Sequence, residues 1–250
     1  MKGEMYLIDS EMLLRERVLM AGSRQQWGSG ILFPVVDFQL NNTLIFKVEV
    51  ITYALQRALV FLNQLIIVNR FSKILLVFNG RIQSYKVERR LREVVKQTGF
   101  IGHTIKWIPG MFSNFNMYSK FVMLAFGHGR REQRYRFKYW QVLGSGRNSF
   151  LRNRQFPSVV IILGCTRGEY TICNEARIMG IPVIGVLNSD CGYIESVNYP
   201  LFGSDTSSTS LFFYFDVFNQ FLMRGVNNRV QKLGEKMKLF KCKSVSNSKG

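Results

Sequence analysis

Two short apolar runs flanking one helix-compatible stretch constrain the fold of this chain more than any other feature. Phe156-Pro157-Ser158-Val159-Val160-Ile161-Ile162-Leu163 is β-branched and apolar without alternation, the pattern of a parallel strand covered on both faces. Residues 169–179 follow with apolar positions at Ile172, Ala176 and Met179, spaced i, i+4, i+7 as on one face of a helix. Gly180 stands where a helix C-cap glycine belongs, and Pro182 just beyond it blocks further helix. A second β-branched run, Val183-Ile184-Gly185-Val186, begins at once. Strand, helix and strand with short joints make a right-handed βαβ unit. The expected fold class is therefore α/β: a doubly wound parallel sheet, flavodoxin-like or Rossmann-like, flanked by helices.

The rest of the chain extends this plan. Residues 1–40 are expected to form an N-terminal extension, with a helix over 10–21 and then a loop. Residues 41–225 form the α/β domain. Leu44–Val48 suits a strand, and Glu49–Val68 a long helix with Ile51, Leu55, Ala58, Leu59, Leu62, Leu65 and Ile66 on one stripe. Lys73–Phe78 reads as a buried strand. Ser84 can cap a helix running through Gln97, whose outer face carries Lys86, Arg89, Arg90, Arg92 and Lys96. A short strand is expected around Thr104–Trp107, a helix over 113–126, and a closing helix from Asp205 through Arg224. Residues 127–155 form a basic insert and 226–250 a basic tail.

Charge decides the class of partner. The 250 residues hold 34 Lys and Arg against 16 Asp and Glu, a formal net charge of +18. Such an excess bears on partners, not on fold, and a polyanion such as nucleic acid is its usual complement. It is also concentrated. His128–Arg154 has eight basic residues and one acid, and Arg224–Gly250 again eight and one, so 14 of the 18 net charges lie in these two segments. In the insert, Arg130, Arg131, Arg134, Arg136 and Lys138 interleave with Tyr135, Phe137, Tyr139 and Trp140. Guanidinium forks grip phosphates, and exposed aromatics can stack on bases. A strand with its aromatics packed inward and its arginines solvated has the same alternation. Arg147, Arg152 and Arg154 extend the insert's charge, while Lys232, Lys236 and Lys238 in the tail suit backbone neutralisation without sequence reading. Arg89, Arg90, Lys96 and Lys106 complete the expected RNA-binding set.

The sequence offers little to catalysis. Gly127-His128-Gly129 and Gly144-Ser145-Gly146 fall short of GxGxxG, and no P-loop occurs. His103 and His128 lack Ser, Cys or Asp companions at motif spacing. Asp190 and Asp205 sit in turn contexts, as Asx-turn and helix N-cap residues. Gly203–Ser207 could instead cradle a phosphate at a helix start. The rival reading is a phosphate-ligand-binding α/β enzyme with a basic appendage. Cys165, Cys173, Cys191 and Cys242 show no CxxC pairing, and two histidines build no zinc spacing, so reduced structural thiols are expected and no metal or cofactor. Leu59–Phe78 is broken by Asn63, Gln64, Asn69, Arg70 and Lys73, which argues against a membrane span.

Several phrases resemble one family. Pro157–Leu163, Asn174-Glu175-Ala176-Arg177, Gly180–Gly185 and Tyr199-Pro200-Leu201-Phe202-Gly203-Ser204-Asp205 are similar, in order and spacing, to the C-terminal half of the ribosomal protein S-two family of the small subunit. Lys73–Phe78 and Lys106-Trp107-Ile108-Pro109-Gly110-Met111-Phe112-Ser113-Asn114-Phe115 match its earlier half, so the resemblance covers roughly residues 41–225. It departs in places. The family's His-Gly and Asn-Pro-Met phrases are missing near the N-terminus, and Ser204 and Thr206 replace an Asn and an Asp. The basic insert stands where bacterial relatives carry a coiled-coil hairpin. The resemblance implies a non-enzymatic ribosomal constituent that binds small-subunit rRNA and neighbouring ribosomal proteins, with no small-molecule substrate.

Phe is 21 of 250 residues, and Asn, Ile and Lys are also frequent, a drift expected of an AT-rich genome. Glu4, Asp9, Glu11 and Glu16 are unlike an Arg-rich, acid-poor presequence. Together these lead us to expect an organelle-encoded protein of the mitochondrial ribosome, in the matrix, ahead of a plastid one.

Overall fold

The computed structural model describes residues 10–23, 35–40, 43–68, 73–78, 85–98, 101–103, 107–120, 156–164, 169–189, 191–192, 194–225 and 227. In chain order the elements are α1 (Ser10–Arg15), β1 (Met20–Ser23), β2 (Val36–Leu40), β3 (Thr43–Phe46), α2 (Val48–Val68), β4 (Ile74–Phe78), α3 (Tyr85–Thr98) and β5 (Ile101–His103). They continue with α4 (115–120), β6 (Val159–Leu163), α5 (Glu169–Ile178), β7 (Val183–Leu187), β8 (Tyr199–Phe202) and α6 (208–225).

Five of the strands make one parallel sheet in the order β5-β4-β6-β7-β8. Counted within that sheet the order is 2-1-3-4-5, the flavodoxin-like form of the doubly wound plan. β4, β6 and β7 are central and buried at every position, as continuous apolar runs require. β8 lies at an edge, the one place where Pro200 deprives no second neighbour of a hydrogen bond. The connections β4–α3–β5 and β6–α5–β7 run in opposite directions from the centre. Right-handed crossovers therefore place α3 and α5 on opposite faces.

Side-chain contacts assign the remaining helices. Phe215 of α6 meets Phe78 edge-on at 6.4 Å, and Asn219 Nδ2 donates to Gln97 Oε1 of α3 at 2.8 Å. Phe61 of α2 stacks on Tyr199 of β8 at 4.5 Å. α2, α6 and α3 thus share one face, while α5 and the segment 107–120 cover the other.

Within residues 10–40 the structure holds more than the expected helix and loop. β1-β3-β2 is a separate antiparallel sheet, and Phe46 carries it onto Phe202 with ring centroids 6.0 Å apart. The helix expected over 10–21 ends at Arg15, because Arg17 takes a left-handed conformation (φ 56°). Val18 N then donates to Leu13 O and Arg17 N to Leu14 O, both at 3.0 Å, the paired bonds of a Schellman cap. Leu13 and Val18 are fully buried, which seats the cap on the core without a glycine. α5 closes by the same motif, with Gly180 (φ 68°) in the left-handed position, Ile181 N donating to Ala176 O and Gly180 N to Arg177 O.

The short strand expected around Thr104–Trp107 lies earlier, since β4 pairs with Ile101, Gly102 and His103 and Trp107 falls in the following turn. The helix expected over 113–126 begins at 115, after a turn through 114, and 121–126 lie outside the described residues. The closing helix begins at 208, not at Asp205.

Candidate nucleic-acid interface

Ligands of doubly wound sheets bind beyond the carboxyl ends of the strands. At β7 and β8 that space is filled by the chain itself. Asn188 Nδ2 donates to Asp205 Oδ1 at 2.6 Å, and Gly22 N donates to both Asn188 Oδ1 and Ser189 Oγ at 2.9 Å. Ser204 N donates to Val18 O at 3.1 Å, so β1 and the turn before it lie across the strand ends. Asp205 is fully buried and ties two loops together, in place of the N-cap role expected of it. Ser207 precedes the helix instead, its carbonyl accepting from Leu211 N at 3.2 Å. Gly203 is also fixed by packing. Tyr214 Oη donates to Phe202 O at 3.0 Å, and burial pushes that phenol up from its ordinary pKa.

α3 presents the described part of the expected basic surface. Val87, Leu91 and Val94 at i, i+4, i+7 are buried, which turns Lys86, Arg89 and Arg92 outward. Arg89 Nε pairs with Glu93 Oε1 at 3.2 Å but its side chain stays 70% exposed. Arg90 is committed internally. Its Nε donates to Asp216 Oδ1 at 3.1 Å, a second nitrogen also pairs with Asp216, and Nη1 lies 3.3 Å from Glu93 Oε2. The Asp216 hydrogen bond holds its guanidinium above the usual pKa range. Both partners are about a third or more exposed, so solvent screening leaves the pair modest. A double-mutant cycle on Arg90→Ala and Asp216→Ala is expected to return a coupling of about 0.5–1 kcal/mol. Simple additivity in urea denaturation would refute a stabilising Arg90–Asp216 pair.

Lys96 belongs to α3 by its backbone. Lys106, Arg130, Arg131, Arg134, Arg136, Lys138, Arg147, Arg152, Arg154, Lys232, Lys236 and Lys238 lie outside the described residues.

On the opposite face a single carboxylate organises the loop before α4. Glu175 is 7% exposed and accepts from Gly110 N at 2.6 Å, Phe112 N at 2.9 Å and Trp107 Nε1 at 3.4 Å. Gly110 turns the loop with φ 92°, and Trp107 packs edge-on against Phe112 at 4.7 Å. Trp107 is a core residue, as a large aromatic beside a strand normally is. The role of Glu175 escapes a reading of apolar periodicity. Its signal is an acid between the buried positions Ile172 and Ala176, a place tolerable only with partners, while Met179, expected on the same stripe, is exposed. Cys173 and Cys191 are buried. Among the described residues no group of His, Cys, Asp and Glu could hold a metal, and no helix is long and apolar enough to cross a membrane.

Known proteins add the family. Residues 13–225 match the family profile of ribosomal protein S2. Three bacterial relatives bear the name small ribosomal subunit protein uS2. That of Treponema pallidum (strain Nichols) is 23% identical over 162 residues, covering 60% of this chain and 55% of the relative. That of Chelativorans sp. (strain BNC1) is 27% identical over 144 residues, 52% of each chain. That of Agrobacterium fabrum (strain C58) is 22% identical over 166 residues, 59% of this chain and 63% of the relative. The matched part thus spans little more than half the length of these relatives. A profile matched from α1 to the end of α6, with a 2-1-3-4-5 parallel sheet between, decides the kinship: the chain belongs to the ribosomal protein S2 family.

Proposed function

We propose that this protein is a structural constituent of the small subunit of a mitochondrial ribosome, where it binds small-subunit rRNA and neighbouring ribosomal proteins in translation. The family match over residues 13–225 carries the reading. The net charge of +18 supports rRNA as the partner, with phosphates neutralised by the basic insert, the tail and the outer face of α3. The filled space at the ends of β7 and β8 weighs against a small phosphorylated ligand there. The mitochondrial assignment rests on composition, with 21 Phe in 250 residues and frequent Asn, Ile and Lys, and on divergence from the family's N-terminal phrases. The same composition favours organelle encoding.

Sucrose-gradient fractionation of mitochondrial lysate, with the chain followed by mass spectrometry, tests the proposal. Comigration with the small subunit at moderate and high salt, near one copy per particle, is the expected result. Sedimentation at the top of the gradient under both conditions would refute it. The free protein should lose about 10³- to 10⁵-fold in rRNA affinity between roughly 50 and 200 mM salt if it contacts about six to ten phosphates. A flat salt response would exclude phosphate neutralisation as its role.

A further inference from the structure

Between the loop held by Glu175 and the end of α5 lies a groove of about 350 Å³. Its floor is aromatic: the rings of Phe115 and Phe156 lie 4.1 Å apart, and Phe156 is 39% exposed. Met117 and Met179, 46% and 40% exposed, wall it. Ser113, Asn114 and Asn116 also line it, all exposed, and none of their side chains bonds to a described residue. Glu175 and the turn at Gly110 fix the backbone beneath them, so these groups are held in place before any ligand arrives.

The lining asks for a flat body with an apolar face and a polar edge. Methionine and aromatic surface contact the face, while hydroxyl and amide groups offer donors and acceptors at the edge. One cation stands beside the groove. Lys120 follows Met117 by three residues in α4, the spacing that brings side chains to one face. No acidic side chain lines the groove among the described residues, and Glu175 is turned inward. An apolar anchor from a protein would suit the walls but leave the amides unpaired and the cation unanswered. A nucleobase with its phosphates answers all three.

We propose that this groove holds one unstacked base of single-stranded RNA. Phe156 is its stacking platform, Asn114 and Asn116 bond its edge, and Lys120 meets an adjoining phosphate. The inference rests on the RNA-binding reading above and adds a base contact to phosphate neutralisation.

The test uses the full chain, a single-stranded oligouridylate of about ten nucleotides and a duplex of equal length, with affinity read by fluorescence anisotropy across a salt series. Phe156→Ala, and separately the double variant Asn114→Ala/Asn116→Ala, are each expected to lose about 5- to 100-fold on the single strand, with little change on the duplex and an unchanged salt slope. The asparagine side chains bond no described residue, so that variant should fold normally. Lys120→Ala should instead flatten the salt slope by about one. Single-strand affinities within about twofold of the parent for both variants would overturn the proposal, as would equal losses on strand and duplex. A photoreactive group at position 117 should crosslink to RNA in assembled subunits, and crosslinks to protein alone would overturn it too. In each of those failures the unaltered chain would still comigrate with the small subunit, whereas failure of the ribosomal reading leaves it at the top of the gradient.

Discussion

Glu175→Ala is expected to lower the unfolding free energy of the isolated protein by about 3–5 kcal/mol, read from the midpoint and slope of urea denaturation. The carboxylate accepts from two backbone amides and one indole, and alanine offers none of them a replacement. A buried donor left without an acceptor costs its full desolvation, about 1–3 kcal/mol each. The loss exceeds the net worth of the hydrogen bonds for that reason. Glu175→Gln keeps one carbonyl oxygen for Gly110 N and Trp107 Nε1 but sets its NH2 against Phe112 N, and should cost about 1–3 kcal/mol. Hydrogen exchange locates the damage. The amides of Gly110 and Phe112 should exchange faster in both variants while those of β6 and β7 follow only the global change. An alanine variant within about 1 kcal/mol of the parent would mean that the loop is held by aromatic packing alone.

Gly203→Ala is expected to cost about 2–3 kcal/mol, although alanine adds a single carbon. A Cβ at this position would lie 2.5 Å from Tyr214 Oη and 3.2 Å from two ring carbons. Tyr214 is fully buried and cannot swing aside, and its hydroxyl is engaged with Phe202 O. Tyr214→Phe alone removes that hydrogen bond at about 1 kcal/mol. In the double variant the colliding hydroxyl is absent, so the two costs should combine to less than their sum by about 1 kcal/mol or more. Strict additivity would place the strain of Gly203→Ala somewhere other than the hydroxyl.

The parts of the fold legible in the sequence are those in which each residue states its own environment. β4, β6 and β7 are apolar at every position because helices cover both faces, and the unbroken runs say so directly. α5 ends at a glycine, and the sequence marks its boundary. α1 ends by the same cap, but Arg17 occupies the left-handed position and nothing in its type announces a stop. The helix expected from sequence therefore runs six residues too far, into the first two residues of β1. β1 itself, Met-Ala-Gly-Ser, has neither alternation nor β-branched residues, and its place is set by pairing with β3. β8 hides behind Pro200, which discounts a strand unless its edge position is known.

The candidate interface divides in the same way. Total charge is a sum over the sequence and was legible at once. Whether a given arginine is available is not, because Asp216 lies 126 residues from Arg90 and only the fold brings them together. The groove residues Ser113, Asn114 and Phe156 were likewise hidden, since they come from separate stretches joined by the sheet.

The bonds from Gly22 to Asn188 and Ser189 join partners 166 and 167 residues apart. During synthesis the strand β1 emerges long before the strand ends that it covers. At roughly 5–20 residues per second the interval is on the order of ten seconds. Throughout that time the small sheet has its own hairpin partner but no floor, and its closure must wait for the last third of the domain. A chain that stalls before residue 188 would hold an open edge and an uncovered Phe46, the kind of surface on which nascent chains aggregate or are captured by chaperones.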